Sequence, residues 1–167
     1  MTAKDDRACA IEDAWRRERP DLDPTSVRVV TRVWHLAKLF GDRRRRLLEA
    51  RGLDAALLDL LGTLRRAGEP YALTTRDLAE RSLVSPAAIS QRLARAERNG
   101  WVTREPAPVG RGVVVRLADA GRKTIDAAAG AIFEQEREML TGLAEPDRDH
   151  LAGLLQKLIG DLERSGS

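Results

Sequence analysis

The segment TTRDLAERSLVSPAAISQRLARAERNGWV, residues 74–102, restricts the fold more than any other part of the chain. Thr74 with Asp77 three residues on resembles a capping box with a shorter acid than usual, which predicts a short helix over about 75–82. Ser85-Pro86 is a second start: a hydroxyl that accepts from free helix N–H groups, then a ring whose φ is already helical. Leu83 and Val84 are left as the turn between them. The second helix carries Ile89, Leu93 and Ala96 inward at helical spacing and closes at Asn99-Gly100. Two short helices joined by so tight a turn have few ways to pack.

The flanking sequence predicts the rest. Ala8, Ile11 and Trp15 form an apolar stripe on a helix over about 6–19, which the prolines of PDLDP end. A single helix of that length is marginal alone and must dock. With Asp23 as N-cap and Pro24 at the first position, a helix is predicted over about 24–50, burying Val30, Val33, Ala37, Phe40 and Leu47. Another is predicted over about 54–67 through Leu57, Leu58, Leu61 and Leu64, and 69–73 reads as a short extended piece. After the two short helices, 101–105 and the β-branched 113–117 read as strands around a Pro- and Gly-bearing loop, 106–112. Asp119 caps a helix carrying Ile125, Ala129, Ile132, Met139 and Leu140. Pro146 opens a last helix with a stripe of Leu151, Leu154, Leu155, Leu158 and Leu162. The expected fold class is mainly α with a small β-hairpin wing: a winged helix-turn-helix. The terminal helices are too apolar for a monomer of 167 residues, so a second copy is the expected cover.

A helix that enters the major groove needs short or hydrogen-bonding side chains near its start and basic ones further on. Ser85, Ala87, Ala88, Ser90 and Gln91 meet the first need; Arg92, Arg95 and Arg98 meet the second. Gln addresses adenine and Arg guanine, each bidentate pair contributing about 1–3 kcal/mol of discrimination. Arg104, Arg111 and Arg116 decorate the hairpin, where phosphate or minor-groove contact is expected. Net charge carries little of this argument: 29 basic against 26 acidic residues give only +3, and 25 of the 29 are Arg.

Other classes find less support. No apolar run approaches the 18 or so residues of a membrane span, and MTAKDDRACAIEDAWRRE is too charged for a secretory signal. One cysteine fits a reducing, cytoplasmic setting. Cys9 has no resolving partner in sequence, and His35 and His150 share no ligand spacing, so no metal site is expected. There is no nucleophile–base pair and no Gly-rich phosphate loop, so an enzyme is not expected.

From about Asp54 to Leu162, including GRGVVVRLADAGR, the chain resembles the MarR family of dimeric winged-helix regulators. Its added N-terminal helix, WRRERPDLDP, resembles the urate-responsive, PecS-like branch. The resemblance implies one domain over 1–167, with helices at about 6–50 and 119–164 forming a homodimer interface and a DNA-binding region at about 54–117. It also implies a repressor on double-stranded DNA with a palindromic operator. The wing departs from the family pattern: PAPVGRG has no acid two residues before Arg111. By the same resemblance Trp15, Asp59, Arg66 and Arg92 are the ligand residues, with no bound cofactor beyond a small anionic effector such as urate. Spacing adds to this for the middle pair, since residues seven apart share a helix face, here over the small Gly62 and Thr63. Tricarboxylates and phenolic anions are alternative effectors for an Arg-lined site. A winged-helix interaction module without a ligand is the remaining alternative.

Overall fold

The second short helix, Pro86–Arg98, begins and ends where its sequence signals stand. In the computed structural model, which describes residues 7–107 and 112–165, the elements run α1 Arg7–Glu18, α2 Val27–Glu49, α3 Ala55–Arg66, β1 Ala72–Thr74, α4 Thr75–Ser82, α5 Pro86–Arg98, β2 Val102–Pro106, β3 Val113–Leu117, α6 Asp119–Met139 and α7 Glu145–Ser165. They divide into two units, Met1–Ala55 and Ala56–Ser167.

In the first unit α1 packs on α2. Ala8 is buried as expected, and so is Glu12, which the apolar stripe did not include. Glu12 is satisfied by Arg16 at 2.6 Å and Arg28 at 3.4 Å, so α1 is held by charge as well as by apolar contact. Arg32 also donates to Cys9 Sγ at 3.5 Å. The α2 start is three residues later than expected: Asp23 accepts from Thr25 N–H in a turn, and the helix begins at Val27. The expected buried face of α2 is a correction. Val30, Val33 and Phe40 are exposed, with Trp34 71% exposed on the same helix, and only Leu48 is buried.

The second unit is built around Leu57, Leu60, Leu61, Leu64, Leu78, Ile89, Leu93 and Val115, all below 2% exposure. The three-stranded antiparallel sheet has the order β1-β3-β2. Leu73 pairs with Val115, and Val102 with Leu117, so all four apolar side chains face the core. The extended piece before α4 is therefore a third strand beside the hairpin. Gly121, in the first turn of α6, lies against the Trp101 carbonyl: a Cβ there would stand 2.1 Å from that oxygen. Asp119 is the first residue of α6, not its cap; Ala118 holds the cap position and Asp119 pairs with Arg122 at 3.2 Å. α7 begins at Glu145 and has no buried residue, so its leucine stripe is open. No helix among the described residues is long and apolar enough to cross a membrane.

Candidate nucleic-acid interface and effector site

Two caps set the reading helix. Thr74 and Asp77 form the complete box at α4: Thr74 Oγ1 accepts from Asp77 N–H at 3.0 Å, and the Asp77 carboxylate accepts from Thr74 N–H and Oγ1–H at 3.2 and 2.7 Å. Those bonds, the hydroxyl's first, hold the Asp77 carboxyl below its ordinary range. Ser85 Oγ accepts from Ala88 N–H at 3.3 Å, and Pro86 occupies the first turn of α5. Ile89, Leu93 and Ala96 are buried, which turns the opposite face outward.

On that face Ser85, Ala87, Ser90, Gln91 and Arg95 are exposed and Ala88 is half-buried. Ser90 Oγ–H donates back to the Pro86 carbonyl at 3.0 Å, so its outward capacity is that of an acceptor. Arg104 lies on β2 and bonds the Glu97 carboxylate near the end of α5, which holds Glu97 below the ordinary carboxylate range. Arg116 on β3 donates to the Pro70 carbonyl at 3.1 Å. Arg111 lies outside the described residues. An open cavity of about 660 Å³ separates α4, α5 and the sheet, lined among others by Ala79, Glu80, Ile89, Ser90, Arg104 and Val113.

The expected effector residues divide between the units. Trp15 belongs to the first; it lies on the α1 face that carries Ala8 and Glu12 and is 48% exposed. Asp59, Arg66 and Arg92 belong to the second. Arg92 Nη1 donates to Asp59 Oδ2 at 2.7 Å, joining α5 to α3 across 33 residues of sequence. The Arg92 side chain is 19% exposed and Asp59's is 39% exposed, so the pair is partly withdrawn from water. Arg66 is exposed and folds back along α3: its Nη2 donates to Thr63 Oγ1 at 3.3 Å, and its Nη1 would lie 2.8 Å from a Cβ on Gly62. Gly62 thus leaves the space this arginine occupies. Arg65 takes the other direction, to Asp126 on α6 at 2.8 Å and over the Tyr71 ring at 4.9 Å. None of Asp59, Arg66 and Arg92 lines the 660 Å³ cavity. Among the described residues no cluster of His, Cys, Asp or Glu is placed to hold a metal ion.

A three-stranded sheet flanked by a capped helix pair, with a polar face on the second helix, defines a winged helix-turn-helix transcriptional regulator. Residues 48–111 match the MarR family profile. The chain is 31% identical over 149 residues to the HTH-type transcriptional regulator PecS of Dickeya dadantii (strain 3937), covering 89% of this chain and 90% of that protein. The chain belongs to the MarR family of DNA-binding transcriptional regulators. Among solved structures it is similar to a mutant MarR from E. coli, at 26% identity and a TM-score of 0.64 over 78% of this chain and 96% of that one. It is also similar in fold to Sco3205 of Streptomyces coelicolor in complex with DNA, at 24% identity and a TM-score of 0.67 over 81% and 86% of the two chains. Regulation of transcription, not catalysis, is the activity of the family.

Proposed function

We propose that this protein is a homodimeric repressor that leaves a palindromic operator when a small organic anion, urate in the first place, binds beside the reading helix. The observation that carries the effector half is the Asp59–Arg92 ion pair. A guanidinium bonded to α3 fixes the face that α5 presents. An anion drawn to Arg66 competes with Asp59 for Arg92 and repels the Asp59 carboxylate, so α5 is released from α3 by a change of partner rather than by unfolding. Trp15 enters this reading by family resemblance, as the flat surface for a purine ring. The open leucine stripe of α7 and the exposed apolar side of α2 support a second copy as their cover. In the dimer two copies of α5 reach half-sites about one helical turn apart, with Ser85, Ala87, Ala88, Ser90, Gln91 and Arg95 addressing the groove and Arg104 and Arg111 supporting from the wing.

The coupling required is bounded. Emptying an operator from 99% to 1% occupancy takes about 5.5 kcal/mol between the two states, or roughly half of that for each protomer of a symmetric pair. Exchange of one partly buried charge partner per protomer supplies much of that, about 1–2 kcal/mol.

The test is titration of the protein on an operator duplex, selected by the protein from a random-sequence pool, with urate, xanthine and citrate. Urate is expected to release the DNA, and Asp59→Asn and Arg66→Ala to blunt release. Release at the unaltered midpoint in both variants refutes the site. The cavity beside Arg104 favours one second reading, a phenolic or carboxylate anion seated on Ile89 and Val113. Under that reading Arg104→Ala blunts release and Arg66→Ala does not.

A further inference from the structure

Leu83 forms the turn between α4 and α5, and the residue is 92% exposed. Its backbone is left-handed, φ 51 and ψ 40. The hydrogen bonds explain the conformation. Leu83 N–H donates to the Glu80 carbonyl at 3.4 Å and Val84 N–H to the Ala79 carbonyl at 3.3 Å, the two bonds of a Schellman end. That end places one residue at positive φ, where a Cβ crowds the backbone and glycine does not. Beyond the ends of α2, α3 and α5 this chain uses glycine at positive φ: Gly52, Gly68 and Gly100. After α4 it uses leucine.

A structural return for that strain is not visible at Leu83. The other non-glycine residue at positive φ among the described residues is Tyr71, whose ring lies under the Arg65 guanidinium. The Leu83 side chain instead projects into solvent, two residues before the Ser85 cap. The exposed face of Ser85, Ala87, Ser90 and Gln91 follows directly along the chain. The turn also keeps Val84 beside Ala79 on the cavity wall, so the Leu83 side chain is the part left over.

The geometry points to Leu83 as an apolar DNA contact: its side chain is held out by the turn to pack on the hydrocarbon surface of the duplex, a deoxyribose ring or a thymine methyl, beside the point where α5 enters the groove. This rests on the DNA-binding reading of α5. Contact with thymine methyls is an established use of apolar side chains in the major groove, and such a contact displaces no counterion.

The experiment sets fold stability against DNA affinity, using the full chain and a duplex selected by the wild-type protein from a random-sequence pool. Leu83→Gly relieves the left-handed strain, so the melting temperature is unchanged or raised, while operator affinity falls by about tenfold. Leu83→Asn, also tolerant of the left-handed region, behaves alike, and Leu83→Met restores affinity. The salt dependence of binding keeps its slope in all three. Replacing thymine by deoxyuridine in the duplex separates the two surfaces: a loss shared with Leu83→Gly assigns a methyl, and no loss assigns the sugar. Unchanged affinity in Leu83→Gly overturns the inference. So does a joint fall of melting temperature and affinity, which marks a structural role. A change of association state in solution with affinity intact means that Leu83 covers a protein chain, and also overturns it. If the wild-type protein selects no duplex, the reading of α5 fails first and this contact fails with it.

Discussion

Asp59→Asn is the most informative single change. It keeps a hydrogen-bond acceptor near Arg92 but removes the charge, leaving a guanidinium whose side chain is only 19% exposed. Breaking a buried pair from one side costs about 3–5 kcal/mol, and an exposed pair contributes about 0.2–1. Asp59 is 39% exposed, so water takes up part of the loss and the expected cost is about 1–2 kcal/mol. For a chain of this size that lowers the melting temperature by about 2–8 °C. The measurement is urea unfolding at a fixed protomer concentration, since association shifts apparent stability. Arg92→Gln and the double variant complete the cycle, with an expected coupling of about 1 kcal/mol. Because the pair positions α5, the same variant is expected to bind operator about tenfold more weakly without ligand. A coupling below about 0.3 kcal/mol, the usual limit of additivity for independent sites, refutes the reasoning: the 2.7 Å contact would then hold nothing.

Gln91→Ala and Arg95→Ala are each expected to lose more affinity for a selected operator than for random DNA, by filter binding at matched salt; equal losses on both would show that these side chains touch only backbone. Thr74→Val removes the hydroxyl that accepts from Asp77 N–H and donates to its carboxylate, at about 1 kcal/mol near neutral pH. The Asp77 carboxyl is lowered in the folded chain, so the unfolded chain takes up its proton first as pH falls; its contribution is complete above the ordinary carboxylate range and is lost as pH drops through the folded value. The variant should therefore lose less stability on acidification than the wild type, and an identical pH slope in urea midpoints would count against the box. Gly121→Ala forces a Cβ to 2.1 Å from the Trp101 carbonyl and should cost about 3 kcal/mol or more in thermal unfolding; a neutral effect would mean that α6 is not seated there.

The helix pair was legible because its signals are local. A cap, a turn and a proline act over three or four residues, and Thr74, Asp77, Ser85 and Pro86 all lie where those rules place them. β1 was legible only as extended chain. Three residues give no alternation, and its partner β3 lies some forty residues on. On α2 periodicity found the apolar side, but periodicity carries no information about what covers it; Val30, Val33 and Phe40 are exposed within one chain. Glu12 escaped notice because a carboxylate inside an apolar stripe reads as an interruption; Arg16 four residues on was the available clue. At the candidate effector site, spacing aligned Asp59 with Arg66 on one helix. The partner that Asp59 actually meets is Arg92, a pairing no helical period contains, because it depends on α5 folding back onto α3.

The bond between Glu97 and Arg104 ties the foot of the reading helix to the first strand of the hairpin. Both side chains are more than a third exposed, so the tether is a light one. Its consequence is one of choice: an arginine occupied by the reading helix has less charge to offer a phosphate, and Glu97→Gln would free it, raising the salt sensitivity of DNA binding.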